Sequence, residues 1–216
     1  MLFMIIGRMF VLLVFIVMIL FVGRAAMAIE EAEYAVVEKE GDFELRRYEP
    51  FIVAETLVEG DFSEVGNVGF RRLYDYISGK NRKQASIPMT APVTQEARSE
   101  KISMTAPVAQ EKVGGKWRIT FMMPSQYTME TLPAPLDPNV KLKRESERIV
   151  AAIRYSGTWS QKRYNEKEAL LFDWVRKRGF KAVGEPIFAR YNSPFMPWFL
   201  RRNEVLIPVK RGQVCS

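Results

Sequence analysis

The chain has 216 residues and not one histidine. Ser-His-Asp and Cys-His nucleophilic sites, His-containing zinc sites and proximal-His haem sites all need an imidazole near neutral pH, so each is excluded. A single cysteine, Cys215, stands in the C-terminal sequence RGQVCS and has no partner for an internal disulfide. Neither a G-x-G-x-x-G fingerprint nor a P-loop is present, and the basic residues are scattered among Glu and Asp rather than gathered in a run. A nucleic-acid footprint is therefore weak, and a solvated basic surface is the better reading. An enzyme working with carboxylates alone is the least favoured class, because 25 acidic residues offer no pair set apart by spacing.

What is present describes a globular protein behind an unusual start. Hydrophobic residues make up 48% of the chain and charged residues 26%, a composition that supports one domain with a real core. Met9 to Val22 is an unbroken apolar run, preceded by Arg8 and followed by Ala26-Met27-Ala28, which has the small-x-small form of a signal-peptidase site. Residues 1–28 are read as a signal peptide, with an uncleaved N-terminal membrane anchor as the alternative, since a span needs roughly 20 apolar residues. Loss of Arg8 and Arg24 with that segment lowers the net charge from +7 to +5. The protein is thus expected outside the cytoplasm: periplasmic or extracellular if cleaved, membrane-anchored and facing outside if not.

Two repeats organise the rest. IPMTAPVTQE (Ile87 to Glu96) and ISMTAPVAQE (Ile102 to Glu111) share eight of ten residues. Strand alternation places Ile87, Met89, Ala91 and Val93 on one apolar face, and Ile102, Met104, Ala106 and Val108 likewise, with Thr90 and Thr105 turned the other way. Pro92 and Pro107 cannot donate to a ladder and belong at an edge or seam. A longer repeat sets Leu45–Glu64 over Leu142–Gln161 without a gap at an offset of 97, with seven of twenty residues identical.

A helical pattern follows each copy. Phe70, Leu73, Tyr74 and Ile77 form one stripe that stops at Gly79; Leu170, Leu171, Trp174 and Val175 form the other, opened by a capping box of Asn165 and Glu168 and ended by Gly179. Strands resume after each, and the proline-rich LPAPLDPNV joins the halves. The fold class is α+β, built from two duplicated strand-helix-strand halves. The expected organisation is the N-terminal segment 1–28, a single domain over 29–211 with pseudo-repeats at about 33–132 and 140–210, and a tail at 212–216.

The strings IPMTAPV and ISMTAPV, then WRITFMMP, YTMETLPAPLDPNVKL and ARYNSPFMPWFLRRNEV, resemble the SOUL haem-binding protein family in the same order along the chain. The resemblance covers Glu33 to Lys210. It implies a distorted antiparallel β-barrel flanked by two helices, no enzymatic role, and non-covalent binding of haem or another porphyrin by a monomer. The implied site is shallow and apolar, between the first helix (Phe70, Arg71, Arg72, Leu73, Tyr74, Ile77) and the loop before the last strand (Phe195, Met196, Trp198, Phe199). A porphyrin offers a flat ring for aromatic packing and two carboxylates for guanidinium forks, and Arg71 and Arg72 lie beside the stripe. The stripe is equally a pattern for core packing, and Arg201 and Arg202 are equally suited to an ion pair with Glu204. Some members of the family use a histidine ligand to iron, which this sequence cannot supply. A carrier or buffer for a tetrapyrrole is the first reading, and a binding module for another flat apolar small molecule is the second.

Overall fold

The computed structural model describes residues 29–83 and 99–212. The N-terminal segment, the first repeated string with Met89, and most of the polar linker after it lie outside the described residues.

Among the described residues, twelve strands and two α-helices follow one another in the order β1 (Tyr34–Glu40), β2 (Phe43–Tyr48), β3 (Phe51–Val58), α1 (Phe62–Ile77), β4 (Asn81–Arg82), β5 (Val108–Val113), β6 (Lys116–Met122), β7 (Ala134–Pro135), β8 (Val140–Glu145), β9 (Arg148–Tyr155), α2 (Gln161–Lys177), β10 (Phe180–Ala182), β11 (Ile187–Arg190) and β12 (Asn203–Arg211). One large antiparallel sheet runs β1-β2-β9-β12-β11-β5-β6-β3-β8, with β10 added on β12, and β4 pairs β7 separately. Apart from β1 at one end, the path is symmetric about the β11–β5 pair, with β11, β12, β9 and β2 answering β5, β6, β3 and β8. β2 lies on β9 and β3 on β8, so each half of the chain lends a strand to the other.

The sheet sorts its residues by alternation. Ala151, Ile153, Val205 and Ile207 point toward the helices, together with Ile119, Phe121 and Phe188, and form one buried cluster with Leu73, Ile77, Leu171 and Trp174. Val150, Ala152, Ile187, Ala189 and Leu206 point the other way and form a second cluster with Tyr48, Met122 and Tyr191. β6 is buried on both faces from Trp117 to Met122, with Trp117, Ile119 and Phe121 in the helix-side cluster and Arg118 and Thr120 as buried polar residues between them.

Four expectations need correction. Among the described residues the sheet does not close: β1 and β8 end the path, and both are rich in charged residues (YAVVEKE and VKLKRE), which suits an edge exposed to water. Closure into a barrel is not found, and both helices pack on one face of the sheet. The second string is a strand only from Val108; before it, Ala106 makes a single parallel bridge to Glu31, and Pro107, lacking an N–H, cannot carry the ladder further. Thr105 is buried rather than outward-facing, its hydroxyl donating to the Met122 carbonyl at 2.5 Å. Helix α2 starts at Gln161, capped by Ser160, whose hydroxyl accepts from the Arg163 N–H at 3.3 Å, so Asn165 lies within the helix instead of opening it.

Candidate functional site

Where the first turns of α1 pass Gln110 of β5 and Arg190 of β11, a groove of about 280 Å³ opens between the exposed side of the helix and the chain that leaves β11. Asn67, Phe70 and Tyr74 line it from the helix, Met104 and Val108 from the segment entering β5, and Tyr191 to Pro194 from the loop after β11, with Trp159 at one end. Phe70 and Tyr74 stack on each other at 5.8 Å between ring centroids, and Phe70 also meets Phe121 edge-on at 5.3 Å. Tyr74 is half exposed and Phe70 about a third exposed, so two aromatic faces stand open to the groove.

The cation in the groove is the guanidinium of Arg190. It stands two residues after Phe188 on β11 and so points to the same, helix-facing side of the sheet. The Trp159 and Phe188 rings lie 5.4 and 5.6 Å from it, and Gln110 Oε1 accepts one bond at 3.3 Å from Nη2. Its Nε is buried and makes no hydrogen bond among the described residues. Burial pushes the guanidinium down to about 10, with only Tyr155 opposing, so it remains charged at neutral pH. Gly66 makes room for it. A Cβ there would stand 2.8 Å from Nη2 and 3.0 Å from Gln110 Oε1.

Trp159 is itself fixed, its indole N–H donating to Asn203 at 2.7 Å and its ring carrying the Arg201 guanidinium at 4.4 Å. Arg201 also donates to the carbonyls of Met196 and Pro194, tying the loop down. Behind the groove lies a buried ionic network. Glu204 accepts from Arg46 at 2.6 and 3.1 Å, from Tyr191 at 2.8 Å and from Arg202 at 3.0 Å, while Arg202 also pairs with Glu31. Burial raises the Glu204 carboxyl, but Arg46 and Arg202 outweigh it and hold the group below the usual carboxylate range. Burial and the Glu204 charge push the Tyr191 phenol well up. The Tyr191 hydroxyl thus serves as a neutral donor to Glu204.

The residues expected from the sequence divide sharply. Phe70 and Tyr74 line the groove, whereas Leu73 and Ile77, at the adjoining edge of the same stripe, are buried in the core. Arg72 points to β3, donating to Thr56 and the Leu57 carbonyl, and Arg71 is exposed without lining the groove. Phe195, Met196, Trp198 and Phe199 follow the lining residue Pro194 but project outward; Phe195 is 94% exposed, and Trp198 packs edge-on against Phe199 at 5.5 Å. The sequence reading missed Arg190, Trp159 and Gly66. An arginine at an inward position of IFAR, in register with Phe188, was the available signal for the first.

Aromatic faces, a soft thioether and a cation thus meet in one groove of an α+β scaffold. The same scaffold is seen in the C-terminal domain of EcmrR, with a TM-score of 0.55 at 10% identity, covering 82% of this chain and 98% of that one. A hydrolase from Listeria innocua aligns with a TM-score of 0.52 at 14% identity, over 81% of this chain and 94% of its own. At these identities the likeness is one of fold alone. Residues 29–208 match the SOUL heme-binding protein family, and the chain belongs to it. Human heme-binding protein 2 is 29% identical over 203 residues, covering 88% of this chain and 93% of the human protein. Heme-binding protein 1 of Xenopus laevis is 27% identical over 170 residues, covering 78% and 84%.

Proposed function

We propose that this protein is an exported carrier or buffer for haem or a related tetrapyrrole, held without a histidine ligand in the groove beside α1. The observation that carries the reading is the open Phe70–Tyr74 aromatic pair facing a groove that also holds a cation, in a member of a haem-binding family. A porphyrin ring suits the aromatic walls, and its carboxylates suit a guanidinium. The groove's volume, about 280 Å³, is at the lower edge of the roughly 300–1,000 Å³ that encloses a drug-sized ligand, which agrees with a ring lying partly in solvent. When bound, haem would bring an iron with Met104 and Tyr74 as the donors within the lining. Packing then supplies most of the affinity, at roughly 25 cal/mol per Å² of apolar area.

Absorbance titration with haem and with iron-free protoporphyrin tests this. Similar affinities are expected, both reduced by Phe70→Ala and Tyr74→Ala. Far tighter binding of haem would overturn binding by packing alone and direct replacement to Met104 and Tyr74. The small volume also favours the second reading, another flat apolar molecule; displacement of an apolar dye without porphyrin binding would select it.

The export part of the proposal rests on residues 1–28, and intact-mass analysis after expression with that segment checks it: a mature N-terminus at Ile29 is expected, and retention favours the anchor. We also infer that the halves arose by duplication, since β2 and β8 start 97 residues apart, as do β3 and β9.

A further inference from the structure

We propose that Arg190 is a preorganised carboxylate anchor, and that the ligand of this groove is a flat apolar ring bearing at least one carboxylate. This rests on the reading of the groove as a tetrapyrrole site and names the ligand feature that the site selects. A buried cation is strongly disfavoured unless something compensates it, and other buried arginines here are compensated fully: Arg46 by Glu204 and Glu44, Arg118 by Glu55, Glu111 and Glu145. Arg190 differs. Among the described residues no carboxylate reaches it, its one neutral partner is Gln110 at 3.3 Å, and its Nε is buried without a partner. Gly66 interrupts the helix surface at the place where a side chain would block the guanidinium.

The flanking rings set the geometry. The Trp159 and Phe188 rings stand 5.4 and 5.6 Å from the guanidinium and cannot accept its charge as a carboxylate would, so its N–H groups remain the part able to donate. A carboxylate entering past Tyr74 and Met104 completes the missing charge pair, and the ring it carries then lies against Phe70 and Tyr74. The site is thereby incomplete in the free protein and satisfied in the complex.

The test compares protoporphyrin with its dimethyl ester on the full mature chain, for wild type, Arg190→Met and Arg190→Lys. Wild type is expected to prefer the free acid by roughly 10-fold or more, the scale of a charge-assisted hydrogen bond. Arg190→Met should bind the ester as wild type does and lose the preference, while Arg190→Lys keeps part of it. The free Arg190→Met protein should also melt higher than wild type, because an uncompensated buried charge has been removed. Retention of the acid preference in Arg190→Met overturns the anchor while leaving the porphyrin site standing. Binding of neither porphyrin overturns the site and the anchor together. A lower melting temperature for Arg190→Met together with unchanged preference would make Arg190 a packing residue.

Discussion

Arg46 and Glu204 meet in a two-pronged ion pair, at 2.6 and 3.1 Å, across the intervening strand β9. Both side chains are almost completely buried. Breaking such a pair from one side leaves a charge without its partner, so Arg46→Met should cost about 3–5 kcal/mol in urea unfolding. Adding Glu204→Met should recover part of that loss. Full additivity of the two losses would show that the residues do not stabilise each other.

Acid should weaken the fold through the same group. The folded carboxyl of Glu204 lies below its ordinary value of 4.5, so the unfolded chain binds the proton more readily. The stability it contributes is complete above that value and disappears as pH falls through the lower folded one. Glu145, raised by burial but lowered further by Arg118, acts in the same direction. Melting temperature should therefore fall steeply below about pH 4.5, and the fall should be shallower in Glu204→Gln.

Gly69 offers a test with an unusual sign. In a helix interior Gly→Ala normally stabilises by about 1 kcal/mol. Here the added methyl would lie 2.3 Å from Ile119 Cγ1 and 2.6 Å from its Cβ, too near the strand backbone to be relieved by rotation alone. Gly69→Ala is expected to destabilise by about 1–3 kcal/mol. A gain measured by calorimetry would show that α1 lifts from β6 freely.

Neither half should fold alone. Residues 29–132 contain β2 without β9 and β3 without β8, and residues 133–216 the reverse. Each fragment should show no cooperative thermal transition, while mixing the two should restore one. Cooperative melting of either fragment by circular dichroism would contradict the exchange of strands.

The sequence was most legible where one physical rule acted alone. The apolar stripe of α2 follows from burial on one side of the helix, and the offset of 97 followed the symmetric pairing order. Legibility failed where a local rule met a tertiary contact. Thr105 obeys strand alternation on paper but finds a buried acceptor in Met122. The α1 stripe mixed two faces: the four residues share a helical side in projection, yet the sheet takes Leu73 and Ile77 and leaves Phe70 and Tyr74 to the groove. Closure of the sheet is a property of strand curvature and edge contacts, which a pattern of apolar residues does not encode. Arg190 was hidden for a different reason. One arginine among many basic residues acquires its meaning only from the carboxylates that fail to surround it.

The crossed pairing of the halves also orders events in time. A ribosome delivers residues from the N-terminus, and β2 has no inner neighbour until β9 has been made, while β9 in turn waits for β12 near the end of the chain. Within the first half β1 pairs β2, and β3, β6 and β5 pair in turn, but the inner edge of β2 and the outer edges of β3 and β5 stay open until the second half is made, with the aggregation hazard that long-range strand pairing carries. Such a chain completes its sheet only at the end of synthesis.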